Sequence, residues 1–542
     1  MKNWTILLFF IGASPHLLSQ SKADYTWVLG YQTAIPGQPN TESEGGMFLK
    51  FTDKTVQVQK FDIFSGAPSA VANDEQGNLQ FYTNGCGIYS HNMQPMENGD
   101  GINVGGQNYI DNCLAADKSY SIVRSGVLIL SKPGADRQYV QFHLRLYGER
   151  EPGTSSVYHS VFDQFYHSDV DMSANGVLGT VTAKNQVVVA DSLQDAVCAV
   201  RHGNGRDWWV IIPRGTGREF WKILLTPEGV QNPVLDSYPP YPPFDIHYAD
   251  FETGAPITPD EYEFESWAGQ AIFSPDGTKY CRLTKAEAVE IYDFDRCTGQ
   301  MHLLRNLPFP SYYRSDPTIA IGAGGLAISP NNRYLYFNNN ETLYQFDMCL
   351  ERIEKGDFET IAEFNGQSDD GFPTSFFQMR SAPNGKIYMG CSNGTRSLHV
   401  INNPYQAGLA CNFVQRGLRL PRWYDWVINY FPNFRLYDVA GSPCDTLGID
   451  DPYLMPKPEY TFEDFRVFPN PAQSVAILYL PNCESARVVV WNVAGQFLRE
   501  IPALTGKEAY RLSVADWPSG VYIIAAYIEK DKPTIRRLVV TH

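Results

Sequence analysis

The sequence predicts an all-β protein, a six- or seven-bladed β-propeller followed by a small immunoglobulin-like β-sandwich. Three observations predict it. A short hairpin phrase recurs six times between residues 73 and 391. Gly (44) and Pro (36) are plentiful while stretches of helical period are missing, the pattern of many short strands joined by turns. The last 79 residues crowd alternating apolar strands between further turns, as a compact sandwich requires.

The chain opens "MKNWTILLFFIGASPHLLSQSKA". Lys2 precedes an apolar run from Trp4 to Ala13, too short for the ~20 residues that span a bilayer and suited to the core of a signal peptide. Residues 1–23 therefore read as an export leader, and no other segment is apolar enough to cross a membrane. Export changes the reading of the ten cysteines. They are scattered with no CxxC pair, which argues against zinc and for disulfides in an oxidising compartment. Cys86 with Cys113 and Cys391 with Cys411 close short loops and are candidate pairs.

The repeat fills residues 24–445. "FSPDGTKYCRL" starts at Phe273, "ISPNNRYLYF" at Ile328 and "SAPNGKIYMG" at Ser381. Looser copies are "NDEQGNLQFY" from Asn73, "SKPGADRQYV" from Ser131 and "RHGNGRDWWVI" from Arg201. The marker residues Gly77, Gly134, Gly205, Gly277, Asn332 and Gly385 are spaced by 57, 71, 72, 55 and 53. Pro presets φ for a type I turn, Asp or Asn hydrogen-bonds nearby backbone, and Gly or Asn tolerates positive φ, so each phrase is a tight hairpin. One such sheet cannot bury both its faces, and stacking the copies radially gives a propeller. Six phrases require six blades; the strands "TWVLGY", "MFLKF" and "TVQVQKF" before the first phrase close the ring or add a seventh. The phrases "ANDEQGNLQFYTNG", "AVRHGNGRDWWVI", "YDFDRCTG" and "LHVINNPYQAGLACNF" resemble the propeller region of large secreted proteins from surface-gliding and related Gram-negative bacteria.

A Pro-rich acidic stretch, "GIDDPYLMPKPEYTFED", places a linker at 446–463. Residues 464–542 follow as "VAILYLP", "ARVVVWNVAGQFLREI", "YRLSV", "GVYIIAAYIEK" and "TIRRLVVTH". This unit resembles the type A C-terminal sorting domain of the type IX secretion system. Pro469, Asn470 and Pro471 match its opening, Gly495 its central hairpin, and Gly520, Val521 and Tyr522 its turn into the last strands. The resemblance implies recognition by the outer-membrane translocon, then release or attachment at the cell surface.

Sites for chemistry are sparser. Asp169, Asp171, Ser173 and Asn175 place oxygens at alternate positions like the start of a calcium loop, but Ala174 and Thr180 stand where Gly and a bidentate Glu belong. A solvated turn is the preferred reading, and no cofactor is expected unless calcium binds there. His143, His159, His167, His202 and His247 form no metal or triad spacing, and no GxSxG elbow or phosphate loop occurs. No catalytic and no metal-binding residue is assigned. "DSYPPYPPF" (236–244) and "PRWYDWVINYF" (421–431) could stack sugars or pack the ring. Asp445-Thr446-Leu447 and Asp191-Ser192-Leu193 match the O-glycosylation triplet of these bacteria. The net charge of -16 argues against a nucleic-acid partner, whose affinity comes from cationic groups.

The expectation is a secreted or surface-attached propeller that binds polysaccharide or a surface protein. The alternatives are a polysaccharide-active enzyme (glycoside hydrolase or lyase) and a structural adhesin.

Overall fold

The computed structural model describes residues 21–31, 45–61, 70–114, 125–150, 157–215, 219–237, 269–283, 288–308, 324–349, 358–425, 428–439, 442–447, 466–479, 485–505, 510–528 and 533–542. Among these, the propeller forms seven antiparallel sheets, here blades 1 to 7, over residues 26–61, 70–90, 127–193, 198–237, 271–308, 326–363 and 376–424. A two-stranded hairpin, Ser368–Asp369 with Phe372–Pro373, sits between blades 6 and 7.

Seven apolar clusters fill the seven gaps between blades. Val28 packs with Val71 and Tyr82 between blades 1 and 2, and Phe81 with Val127 and Val170 between blades 2 and 3. Phe142 and Trp208 join blades 3 and 4, while Phe220, Tyr280 and Phe294 join 4 and 5. Ile291 with Phe346, then Tyr336 with Met379, carry the contact through blades 5, 6 and 7. The last cluster packs Tyr388 and Leu398 of blade 7 on Trp27 and Leu49 of blade 1. The ring is closed, so each sheet buries both faces and the hydrophobic stabilisation of every blade depends on its two neighbours.

All six marker residues have positive φ, from 59° at Asn332 to 85° at Gly77. In the sharpest copies the amide three residues into the turn closes it, as Gly277 N–H does onto Ser274 O at 2.8 Å. Blade 1 has no phrase because of how the ring closes. After blade 7 the chain returns along the first strand of blade 1, Thr26–Tyr31. There Asp425 N–H donates to Gly30 O at 2.9 Å, and Val28 N–H donates to Asn429 Oδ1 at 2.8 Å. Ile428 is buried in the blade 7–blade 1 cluster, with Phe431 packed against it. Blade 1 is thus assembled from both ends of the repeat region, and no turn is needed where the two meet.

The returning segment then crosses the ring on the face that carries the turn phrases. Tyr430 lies beneath the Arg380 guanidinium, 5.3 Å from ring centroid to cation, and its hydroxyl accepts from Ala199 N–H of blade 4 at 3.3 Å. Asn433 donates to Pro275 O of blade 5 at 2.7 Å. Arg435 forms a two-pronged ion pair with Asp24, both contacts 2.7 Å. Val439 N–H reaches Gly203 O at 2.7 Å. A disulfide from Cys444 to Cys297 fixes the end of the segment to blade 5.

Of the two disulfides expected from loop length, Cys86–Cys113 is present. Cys391 and Cys411 are free and buried instead. Cys391 ends a strand and points to Ser397 O and His399, whereas Cys411 packs in the cluster between blades 6 and 7. Short sequence separation does not bring side chains into bonding reach when the backbone between them is a paired strand.

The C-terminal unit is a sandwich of a three-stranded and a four-stranded antiparallel sheet. The first is Arg466–Phe468, Val475–Tyr479 and Tyr510–Ser513; the second runs Phe497–Thr505, Ser485–Asn492, Gly520–Ile528, Thr534–Val540. Leu478, Leu512, Val488, Val490, Ile524 and Leu538 fill the space between them. No helix among the described residues is long and apolar enough to cross a membrane.

Candidate functional site

The turn phrases of blades 2 and 3 flank a cleft of about 730 Å³. One wall is the turn at 74–78, the other the turn at 132–137, and Phe434 of the returning segment forms a third. Asp74 folds its own wall: Oδ1 accepts from Gln76 N–H at 3.0 Å and Asn78 N–H at 2.8 Å, and Oδ2 accepts from Gln80 Nε2 at 3.1 Å. That leaves Glu75 and Asp136 as the exposed carboxylates, on opposite walls.

The cleft's polar floor is set by two buried residues. Tyr139 is 8% exposed, its ring edge-on to Phe81 at 5.3 Å. Burial, with the charges of Asp74 and Glu75 behind it, raises the pKa of its phenol, so the hydroxyl stays protonated and both donates and accepts. Asn73 is 4% exposed. Its Nδ2 donates to Ala23 O at 2.7 Å and Thr26 O at 2.9 Å, and its Oδ1 is buried without a partner. A buried acceptor left unsatisfied costs about 1–3 kcal/mol. A neutral floor, amide and carboxylate walls and one aromatic side suit a ligand rich in hydroxyl groups.

None of these cleft residues was singled out by sequence reasoning. A signal was present: the walls are two of the three loosest copies of the phrase, "NDEQGNLQFY" and "SKPGADRQYV". Where a repeat departs from its own pattern, a residue is serving something other than the turn.

The residues that were singled out scatter. His143 is fully buried, bonded to Asn103 Oδ1 at 2.7 Å and Ser168 Oγ at 3.0 Å. Burial, then the neighbouring His167, lowers its pKa to about 3. His202 caps its turn, accepting Asn204 N–H at Nδ1 and meeting Cys297 O at 3.0 Å. His159 lies on the strand Val157–Asp171, and His247 is outside the described residues. Asp171 accepts both Ser173 N–H and Ser173 Oγ–H, which hold its pKa low, while Asp169 pairs with His167 at 3.0 Å. These oxygens are engaged in a local turn, and Asn175 turns it with φ +48°. In "DSYPPYPPF", Asp236 and Ser237 end a strand and the remainder lies outside the described residues. Thr446 is exposed, whereas the Asp191-Ser192-Leu193 triplet is strand-bound with Leu193 fully buried.

The motif residues of the C-terminal unit converge on its last strand. Asn470 donates from Nδ2 to Arg537 O at 2.7 Å and accepts Val539 N–H at Oδ1 at 2.8 Å. Pro469 and Pro471 bracket it, and the following Ala472 bonds Val539 O at 2.8 Å. Gly520, Val521 and Tyr522 pair with Val540, Val539 and Leu538. The Tyr522 hydroxyl donates to Pro518 O at 2.7 Å. Gly495, φ +78°, turns the hairpin whose Asn492 side chain accepts two amides.

A closed seven-bladed ring joined to such a unit defines an exported propeller protein. Residues 466–541 match the family described as secretion system C-terminal sorting domain; the chain carries a type IX sorting tail and is exported to the cell surface or beyond it. Comparison with curated proteins returned no match. Among solved structures, the chain is similar to a protein from Lactobacillus plantarum (12% identity, 75% of this chain and 99% of the other, TM-score 0.40). It is also similar to a putative 6-phosphogluconolactonase from Bacteroides fragilis (11%, 76% and 100%, 0.37) and a periplasmic gluconolactonase from Pseudomonas aeruginosa (12%, 75% and 86%, 0.34). Likeness this loose transfers no substrate.

Proposed function

We propose that the propeller is an extracellular binding module that takes a segment of polysaccharide in the cleft between blades 2 and 3. The observation that carries this reading is the cleft lining, where the protonated Tyr139 phenol, the exposed Gln76 and Asn78 amides and the Phe434 ring face one space. Saccharide hydroxyls exchange donors and acceptors with such groups, and the aromatic wall covers the C–H face of a sugar ring. Export supports the reading, since it delivers the cleft to the compartment where polysaccharide is found.

Glu75 and Asp136 favour a second reading. Two exposed carboxylates on facing walls are the minimum for glycoside cleavage. One experiment separates the readings: a glycan-array screen of the full chain, with new reducing ends assayed on every hit. Binding without new ends, weakened about tenfold by Tyr139→Phe or Phe434→Ala, is the expected result. Ends that accumulate with time and vanish in Glu75→Gln or Asp136→Asn make the protein a glycoside hydrolase or lyase. Binding unchanged in all four variants removes the cleft from consideration, and silence on every glycan points to a protein partner.

A further inference from the structure

The aromatic stretch 421–431 divides in the folded chain. Tyr424 is fully buried, its hydroxyl donating to Ser397 O at 3.1 Å, and Tyr430 and Phe431 help close the ring as described above. Trp423 takes the opposite course. At the end of the outermost strand of blade 7, Phe413–Tyr424, it is only half-buried, and its indole N–H donates to Asp370 Oδ2 at 3.1 Å. Its ring stands edge-on to Tyr31 (5.8 Å, 85°) and to Phe372 (6.3 Å, 76°). Phe372 is 45% exposed. Tyr31 ends the first strand of blade 1 and Phe372 lies on the hairpin before blade 7. Both sit on the face opposite the turn phrases: Tyr31 ends a strand whose first residue, Thr26, donates to Gly77 O in the blade 2 phrase at 2.7 Å, and Phe372 precedes the strand Phe376–Ser381, whose far end enters the blade 7 phrase.

Around this aromatic step the polar groups are fixed. Asp370 pairs with Arg396 at 2.8 Å and lies 4.0 Å from Arg419. The Trp423 indole, then the two guanidinium groups, keep its pKa below the ordinary carboxylate value. Arg419 pairs with Asp369 at 2.6 Å while half of its side chain is exposed. Asp369 is 5% exposed, and its Oδ2 is buried with no donor. Positive φ at Asp370 (+50°) and Gly371 (+93°) shapes the hairpin tip that carries Phe372. Three aromatic rings from distant segments, held beside planar donors and acceptors and left outside the inter-blade clusters, are poor packing and good recognition chemistry.

We propose that Trp423, Phe372 and Tyr31 form a separate stacking site for a pyranose ring. The C–H face of the sugar lies on Phe372 and Trp423, its hydroxyls donate to Asp370, and Arg419 donates to its ring or hydroxyl oxygens. The site does not rest on the cleft between blades 2 and 3, from which it is separated by the thickness of the ring. A propeller with a sugar site on each face can hold two chains at once.

The test titrates the full chain with gluco-, manno- and N-acetylglucosamine hexasaccharides by calorimetry, comparing the native protein with Phe372→Ala, Trp423→Phe and Tyr139→Phe. Phe372 is exposed, so its truncation does not threaten folding. The expected result is a binding event weakened about tenfold or more by Phe372→Ala, weakened less by Trp423→Phe, and untouched by Tyr139→Phe. Binding lost in Tyr139→Phe but equal in native and Phe372→Ala protein supports the cleft alone and overturns this site. The converse supports this site without the cleft. No binding of any hexasaccharide overturns it as well.

Discussion

Each domain is completed by the last stretch of its own sequence, and the two stretches are fastened in different ways. In the ring, Asp425 and residues 428–439 lie along blade 1 and across blades 4 and 5, held by the Arg435–Asp24 pair and followed by the Cys297–Cys444 disulfide. In the sandwich, Thr534–Val540 is an edge strand, held on one side by Gly520–Ile528 and on the other by Ala472 and the exposed side chain of Asn470. Covalent and ionic fastenings resist opening, whereas an edge strand keeps backbone groups within reach of another protein. The contrast is that between cargo, which has to survive outside the cell, and an address, which has to be handled.

The contrast can be broken most directly by removing residues 464–542. We expect the ring to keep its thermal transition, read by calorimetry, and the protein to disappear from the cell exterior, read by fractionation. A ring transition lowered by several degrees would show that the two domains are not autonomous. Arg435→Met comes next, because it strands Asp24, whose side chain is 11% exposed. Losing one partner of such a pair costs about 3–5 kcal/mol, and urea unfolding should show the loss in the ring with the sandwich unmoved.

Acid should separate the domains too. Burial holds His143 at about 3 and His399 at about 4, against an ordinary 6.5. Below pH 6.5 the unfolded chain binds two protons that the folded ring refuses, so stability falls as pH drops, by about 3 kcal/mol per unit until His399 titrates. His143→Gln should halve that slope. The sandwich contains neither of these buried histidines, so a pH series of melts should show that slope in the ring transition.

Gly277→Val tests the turn. A Cβ there meets Val200 at 2.8 Å and Arg296 at 2.9 Å, at φ +74°, so backbone strain and overpacking together should cost about 3 kcal/mol. Gly176→Val has a similar φ with open space around it and should cost about half as much; equal losses would mean that packing at the turn contributes nothing. The smallest effect expected is for Asn470→Ala, about 1 kcal/mol, in the sandwich transition alone.

The fold was legible because its signal is local. Six hairpins each need a left-handed residue at one place, and that need is written in Pro-Asp-Gly and its variants. Blade 1 was half legible, since its strands precede the first phrase but its closure depends on Asp425 and residues 428–431, which carry no periodicity and act on partners about 400 positions away, as Asn429 does on Val28. The Cys297–Cys444 bond was illegible for the same reason, and loop length pointed to Cys391 and Cys411 instead. The sorting domain could be read because its pattern is compact, and residues 466–541 match that family. The candidate sites could not: Tyr139 and Phe434, or Tyr31, Phe372 and Trp423, meet only when the ring is built. Even the aromatic stretch that was noticed hides a change of direction between Trp423 and Tyr424 that alternation along a strand produces.

The disulfide at Cys444 also decides how the protein would answer a pull. Tension that reaches Cys444 passes into the ring at Cys297, on blade 5, through covalent bonds. Residues 428–439, upstream of the bond, are shielded from it and cannot be peeled off the ring one contact at a time. A pull passed through that bond meets blade 5 directly, where the apolar clusters on both of its faces have to give together before it moves.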